Sequence, residues 1–121
     1  MKDQISYSTL GNELIHELRD KLSHSENSVD ISHTFSYTVI QFLTQAFKDQ
    51  NLSIDADDVK FKPDKNGHYT ISDRLKNTKA FKEKWGNSDL PNVISKFAEA
   101  THHRYVHVTK HPEKTNKKIR N

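Results

Sequence analysis

No cysteine occurs among the 121 residues, which removes disulfides, thiolate nucleophiles and cysteine-ligated zinc or iron–sulfur sites together. Glycine is nearly as scarce. Gly11, Gly67 and Gly86 stand far apart, so no glycine-rich loop is available to cradle a phosphate. The apolar fraction is 32%, against roughly 45–50% in an average globular domain, so a small core is expected and a large enzyme pocket is not. The longest apolar runs are far too short for a membrane-spanning helix, and the opening Met1-Lys2-Asp3-Gln4-Ile5 lacks the apolar stretch of a signal peptide. The expectation is a cytoplasmic chain with no membrane partner. The GxSxG, HExxH and EF-hand patterns are also missing.

What the chain has in abundance is charge, 29% of its residues, with a formal net value of only +3. That small number hides a partition. Residues 1–58 hold four basic side chains (Lys2, Arg19, Lys21, Lys48) against ten acidic ones, a net −6, whereas residues 59–121 hold fifteen against six, a net +9. A field of one sign concentrates ligands of the other, so the second half suits a polyanion. Alternatively the two halves neutralise one another, within a monomer or across a homodimer.

Hydrophobic spacing outlines the elements. Over 8–23, Leu10, Leu14, Ile15, Leu18 and Leu22 repeat on one helical face, with Glu13, His16, Glu17, Asp20 and Lys21 opposite. Ser8 or Thr9 is placed to cap this helix, and Glu17 and Lys21 to pair at i, i+4. A polar link, 24–28, leads to a second helix over 31–49 carrying Phe35, Val39, Ile40, Phe42, Leu43, Ala46 and Phe47. Residues 34–39 also alternate in the manner of a strand, but the apolar face continues unbroken to Phe47, which favours a helix. Val59-Lys60-Phe61-Lys62 and His68-Tyr69-Thr70-Ile71 alternate on either side of Pro63-Asp64-Lys65-Asn66-Gly67, a hairpin pattern with Val59, Phe61, Tyr69 and Ile71 on the core face. Shorter helices are expected over 77–85 and 91–103, and a last strand over 105–108 that joins the hairpin as a third member.

These elements define an α+β fold: an amphipathic helix pair, a short antiparallel hairpin or three-stranded sheet, two further helices and a basic flexible tail. A 121-residue chain fits one domain, placed at 1–109 with the tail at 110–121, because two separate cores would each be near the lower limit for folding.

Three groups of residues carry types that chemistry could use. The eight histidines include His102, His103, His107 and His111, whose spacing offers pairs of imidazoles but no third ligand, so neither a metal nor any other cofactor is assigned. His102, His103, Arg104, Tyr105 and His107 have the residue types of a small ribonuclease, but in a segment this rich in such residues the set assembles by chance, and the chain reads as non-enzymatic. Asp55, Asp57 and Asp58 read as a solvated loop.

The broader pattern is a phosphate-binding one. Lys60 and Lys62 lie on the hairpin, Arg74 and Lys76 after it, and Lys79, Lys82 and Lys84 on the short helix. Lys96 and Arg104 accompany the next helix, and Lys110, Lys114, Lys117 and Lys118 the tail. Phe61, Tyr69, Trp85 and Tyr105 are interleaved with these cations as stacking groups, although each is also needed by a small core. The helices flanking 86–91 resemble a helix-turn-helix, with 91–103 as the reading helix and a turn longer than the usual three or four residues. The sequence therefore points to a nucleic-acid-associated accessory or regulatory protein. Its rival is an inhibitor, immunity or adaptor module that binds a protein partner through its charge-segregated surface.

Overall fold

A computed structural model describes residues 7–48 and 52–120, with side chains as far as Thr109. Helix α1 is Ser8–Ser23 and α2 is Ser28–Ala46. A 3-10 turn, Ala56–Asp58, leads into strand β1, Val59–Phe61, which pairs antiparallel with β2, Tyr69–Ile71, in a two-stranded sheet. Three helices follow: α3, Asp73–Lys76; α4, Lys79–Asn87; and α5, Leu90–Arg120. The fold is α+β.

The core follows the spacing of the apolar residues. Leu14, Leu18 and Leu22 of α1 meet Ile31, Phe35, Val39, Phe42 and Leu43 of α2, and α5 closes the arrangement with Leu90, Ile94, Phe97 and Ala98. One contiguous cluster also takes in Val59, Phe61 and Ile71 from the sheet and Leu75 and Phe81 from α3 and α4. The hairpin register is as the alternation requires, Val59 opposite Ile71 and Phe61 opposite Tyr69. Burial raises the phenol pKa of Tyr69 above its ordinary value. The connecting loop turns through a left-handed pair, Gly67 at φ 82° and His68 at φ 69°, and only the first of these is the residue that such backbone favours. His68 is held there by its ring, whose protonated Nδ1 donates to the Pro63 carbonyl at 3.1 Å.

The expected third strand at 105–108 is helical. Thr101, Tyr105 and Val108 recur at i, i+4, i+7 along α5, with Thr101 buried and the other two packed on the core. Tyr105 meets Phe61 edge-on, ring centroids 5.8 Å apart. The same residue that suggests β structure by its type thus reaches the hairpin from a helix, and tertiary packing overrides strand propensity. The flexible tail expected at 110–121 falls on side chains outside the described residues.

Two local expectations at α1 also change. Its N-cap is Tyr7, and no hydroxyl accepts there; instead Asp89 accepts from the Tyr7 backbone N–H at 2.7 Å and from Ser8 Oγ at 2.9 Å. A carboxylate from just before α5 therefore satisfies the positive end of α1. Lys21 lies 4.6 Å above the centroid of the Tyr37 ring rather than against Glu17.

Gly11 marks the closest approach of α1 to α5. A Cβ at this position would stand 2.5 Å from Val93 Cγ1, a short, buried and β-branched side chain with nowhere to swing. Gly11→Val is accordingly expected to destabilise the protein by about 2 kcal/mol through overpacking. Urea unfolding checks this, and an unchanged midpoint would mean that the helices part freely.

Candidate functional site

The predicted basic residues sort by what their side chains touch. Arg74 is structural. Its Nε and Nη2 both donate to the Asp58 carboxylate, and Nη2 also reaches the Ser53 carbonyl at 2.9 Å. Asp58, expected in a solvated loop, is buried, and further accepts from Ser72 Oγ at 2.5 Å and the Asp55 backbone N–H at 2.8 Å. Burial opposes its ionised form, but the donors led by Arg74 outweigh it and hold the pKa below the usual carboxylate value. The hydrogen bond to Asp58 in turn raises the Arg74 pKa. This cluster ties the start of β1 to α3.

Lys60 lies 3.6 Å from Asp57 and Lys76 lies 3.9 Å from Asp73, both as exposed i, i+3 pairs of little energetic weight. Lys84 donates to the Tyr7 hydroxyl at 2.9 Å and stands over the Tyr7 and Phe47 rings. Lys62, Lys79, Lys82 and Lys96 are exposed. The side chains of Lys110, Lys114, Lys117 and Lys118 lie outside the described residues.

Of the predicted cations, Lys96 and Arg104 meet at one place, which straddles the charge partition. Arg19 from α1 and Lys96, His103 and Arg104 from α5 line a groove of about 540 Å³ whose floor includes Ile15, Leu22 and Ala100, with Glu99 as its one carboxylate. Arg19, Lys96 and Arg104 form no ion pair with a described carboxylate. Arg104 Nη2 donates to the carbonyls of Ser23 and Ser25, at 3.2 and 2.9 Å, which fixes the α1–α2 link against α5 and leaves the guanidinium charge uncompensated by an anion. Arg104 is therefore both a clamp and a wall of the groove. Arg19 was hidden from sequence reading by its setting in an acidic half; only the pairing of α1 with α5 brings it here.

The groove adjoins a histidine surface on α5. His103 is shared with a shallow depression of about 300 Å³ formed with His102, Val106 and His107. His102 stacks flat on His68 of the hairpin loop, centroids 3.8 Å apart and planes within 5°. Among the described residues no three metal-ligating side chains converge. Of the ribonuclease-like set, His102, His103 and His107 border one depression and His103 and Arg104 one groove, while Arg104 is held by carbonyls and Tyr105 packs on Phe61. Sequence continues the spacing of Lys96, His103 and His107 with Lys110, Lys114 and Lys117, steps of seven, four, three, four and three residues, which on a helix mark one face.

The resemblance to a helix-turn-helix does not hold. Only Ser88 and Asp89 separate α4 from α5, and the first turn of α5, where a reading helix would meet bases, is packed against the start of α1 through Asp89, Tyr7 and Ser8. Among the described residues no helix is long and apolar enough to cross a membrane.

The fold and groove together define a small α+β protein with a basic cleft between its first and last helices. The chain matches no protein-family model, and neither a curated protein nor a solved structure is significantly similar to it.

Proposed function

We propose that this is a cytoplasmic, non-enzymatic accessory or regulatory protein that binds the phosphate backbone of nucleic acid along the groove between α1 and α5. The observation that carries this reading is the convergence of Arg19, Lys96 and Arg104 on one cleft with a single facing carboxylate, Glu99. Phosphate binding needs positive groups spread along a surface rather than a deep pocket, and an open groove lined from two helices meets that need. His103 lies on the same wall and adds a ring nitrogen able to donate to phosphate. The lysines at 110, 114 and 117 supply further positive charge along the sequence of α5.

The test is fluorescence anisotropy with a labelled mixed-sequence oligonucleotide across a salt series. Binding at low salt is expected to fall steeply between about 50 and 200 mM, and Arg19→Glu with Lys96→Glu is expected to weaken it by at least about tenfold and flatten the salt slope. No binding by the native protein at low salt, or the same affinity and slope in the double variant, would overturn the assignment.

A further inference from the structure

A second groove has a different character. It occupies about 620 Å³ between α2 and β1 and is lined by Tyr37, Ile40 and Phe61, with His33, Lys60 and Lys62 among its polar neighbours. Ser36 Oγ donates to the Val59 carbonyl at 2.7 Å, which joins α2 to β1 beside the groove. Phe61 is buried, locked between Phe35 and Tyr105 with ring centroids 5.6 and 5.8 Å away, so the floor is rigid.

Tyr37 is 57% exposed, and with Val29 it is one of two large apolar side chains left in solvent among the described residues. Its ring is nonetheless oriented, because the Lys21 ammonium sits over it at 4.6 Å from the centroid. Tyr37 lines the groove and Lys21, over its ring, does not. An exposed but oriented aromatic ring, beside an apolar floor and two lysines, is the arrangement that accepts a flat, π-faced group carrying an anion. Lys60 makes an exposed pair with Asp57, the one carboxylate lining the groove, and Lys62 makes no ion pair with a described carboxylate. Both are available to a phosphate.

We infer that this groove is a stacking site for an unpaired nucleobase, with Tyr37 as the platform and Lys60 and Lys62 on the flanking phosphates. The preferred ligand of the protein is then single-stranded nucleic acid. This rests on the nucleic-acid reading above and narrows it. A duplex keeps its bases stacked inside and can offer only backbone, whereas a single strand presents each base to the ring without the cost of unpairing.

The experiment compares a labelled 15-mer oligo(dT) with a duplex of equal length at one low salt concentration, for native protein, Tyr37→Phe and Tyr37→Ala. Circular dichroism confirms that each is folded; Tyr37 is exposed, so loss of fold is not expected. The native protein is expected to favour the single strand by at least about tenfold. Tyr37→Ala is expected to weaken single-strand binding by about 5- to 150-fold with little change for the duplex, and Tyr37→Phe to retain most of it. Equal affinity for the two forms, or a Tyr37→Ala protein that binds oligo(dT) as the native one does, overturns the stacking site while leaving backbone binding in place. Failure of the native protein to bind either form removes both.

Discussion

Replacing Phe42 with alanine is expected to cost about 4 kcal/mol. Phe42 is fully buried, and its ring meets Phe97 of α5 edge-on at 5.4 Å and Tyr7 before α1 at 6.0 Å. Its ring thus joins α2 both to α5 and to the residue that precedes α1. Truncation removes the transfer free energy of the ring and opens a void that three rigid helices cannot close. A domain of this size has a total stability of roughly 5–15 kcal/mol, so the loss takes away a large share. The groove between α1 and α5 depends on the same packing, and binding should fall together with stability. Thermal and urea unfolding report the effect; Phe42→Leu should show a clearly smaller one, and a variant with alanine that unfolds at the native midpoint would mean that the site collapses without cost.

The second large effect is expected at Asp58. Asp58→Ala should destabilise by about 3 kcal/mol, because it leaves Ser72 Oγ, the Asp55 N–H and the Arg74 guanidinium without their shared acceptor. The pH dependence has a definite sign. Asp58 has a folded-state pKa below its unfolded value of 3.8, so its contribution is complete above that value and is lost as pH falls through the lower folded one. The stability difference between native and Asp58→Asn proteins should therefore be flat from about pH 5 to 8 and shrink below about pH 4. A difference that changed most near neutrality would place its origin in a histidine.

Most of the helical architecture was legible because periodicity is a property of sequence. Leu14, Leu18 and Leu22 could only be buried together on a helix, and the run from Phe35 to Phe47 settled α2 against the competing strand. The hairpin was legible in its alternation and its turn residues. Residues 105–108 are ambiguous in sequence because four residues alternate equally well as a strand or as one helical turn whose partners lie upstream; Thr101 fixes the phase, and only the packed structure shows that it does. The candidate sites were harder to see. Charge counts along the chain identified the basic half, but Arg74 proved to be bound to Asp58, and the Arg19 that completes the groove lay in the acidic half. Tyr37 had no distinguishing neighbour in sequence.

Composition and spacing alone determined the α+β class, the amphipathic faces and the supply of cations, since these follow from local periods and from counting. Which cations are consumed by internal carboxylates and carbonyls, and which meet across a groove, was decided by the tertiary structure. Side chains some eighty residues apart become neighbours only when α1 is laid against α5, and no local rule of the chain encodes that distance.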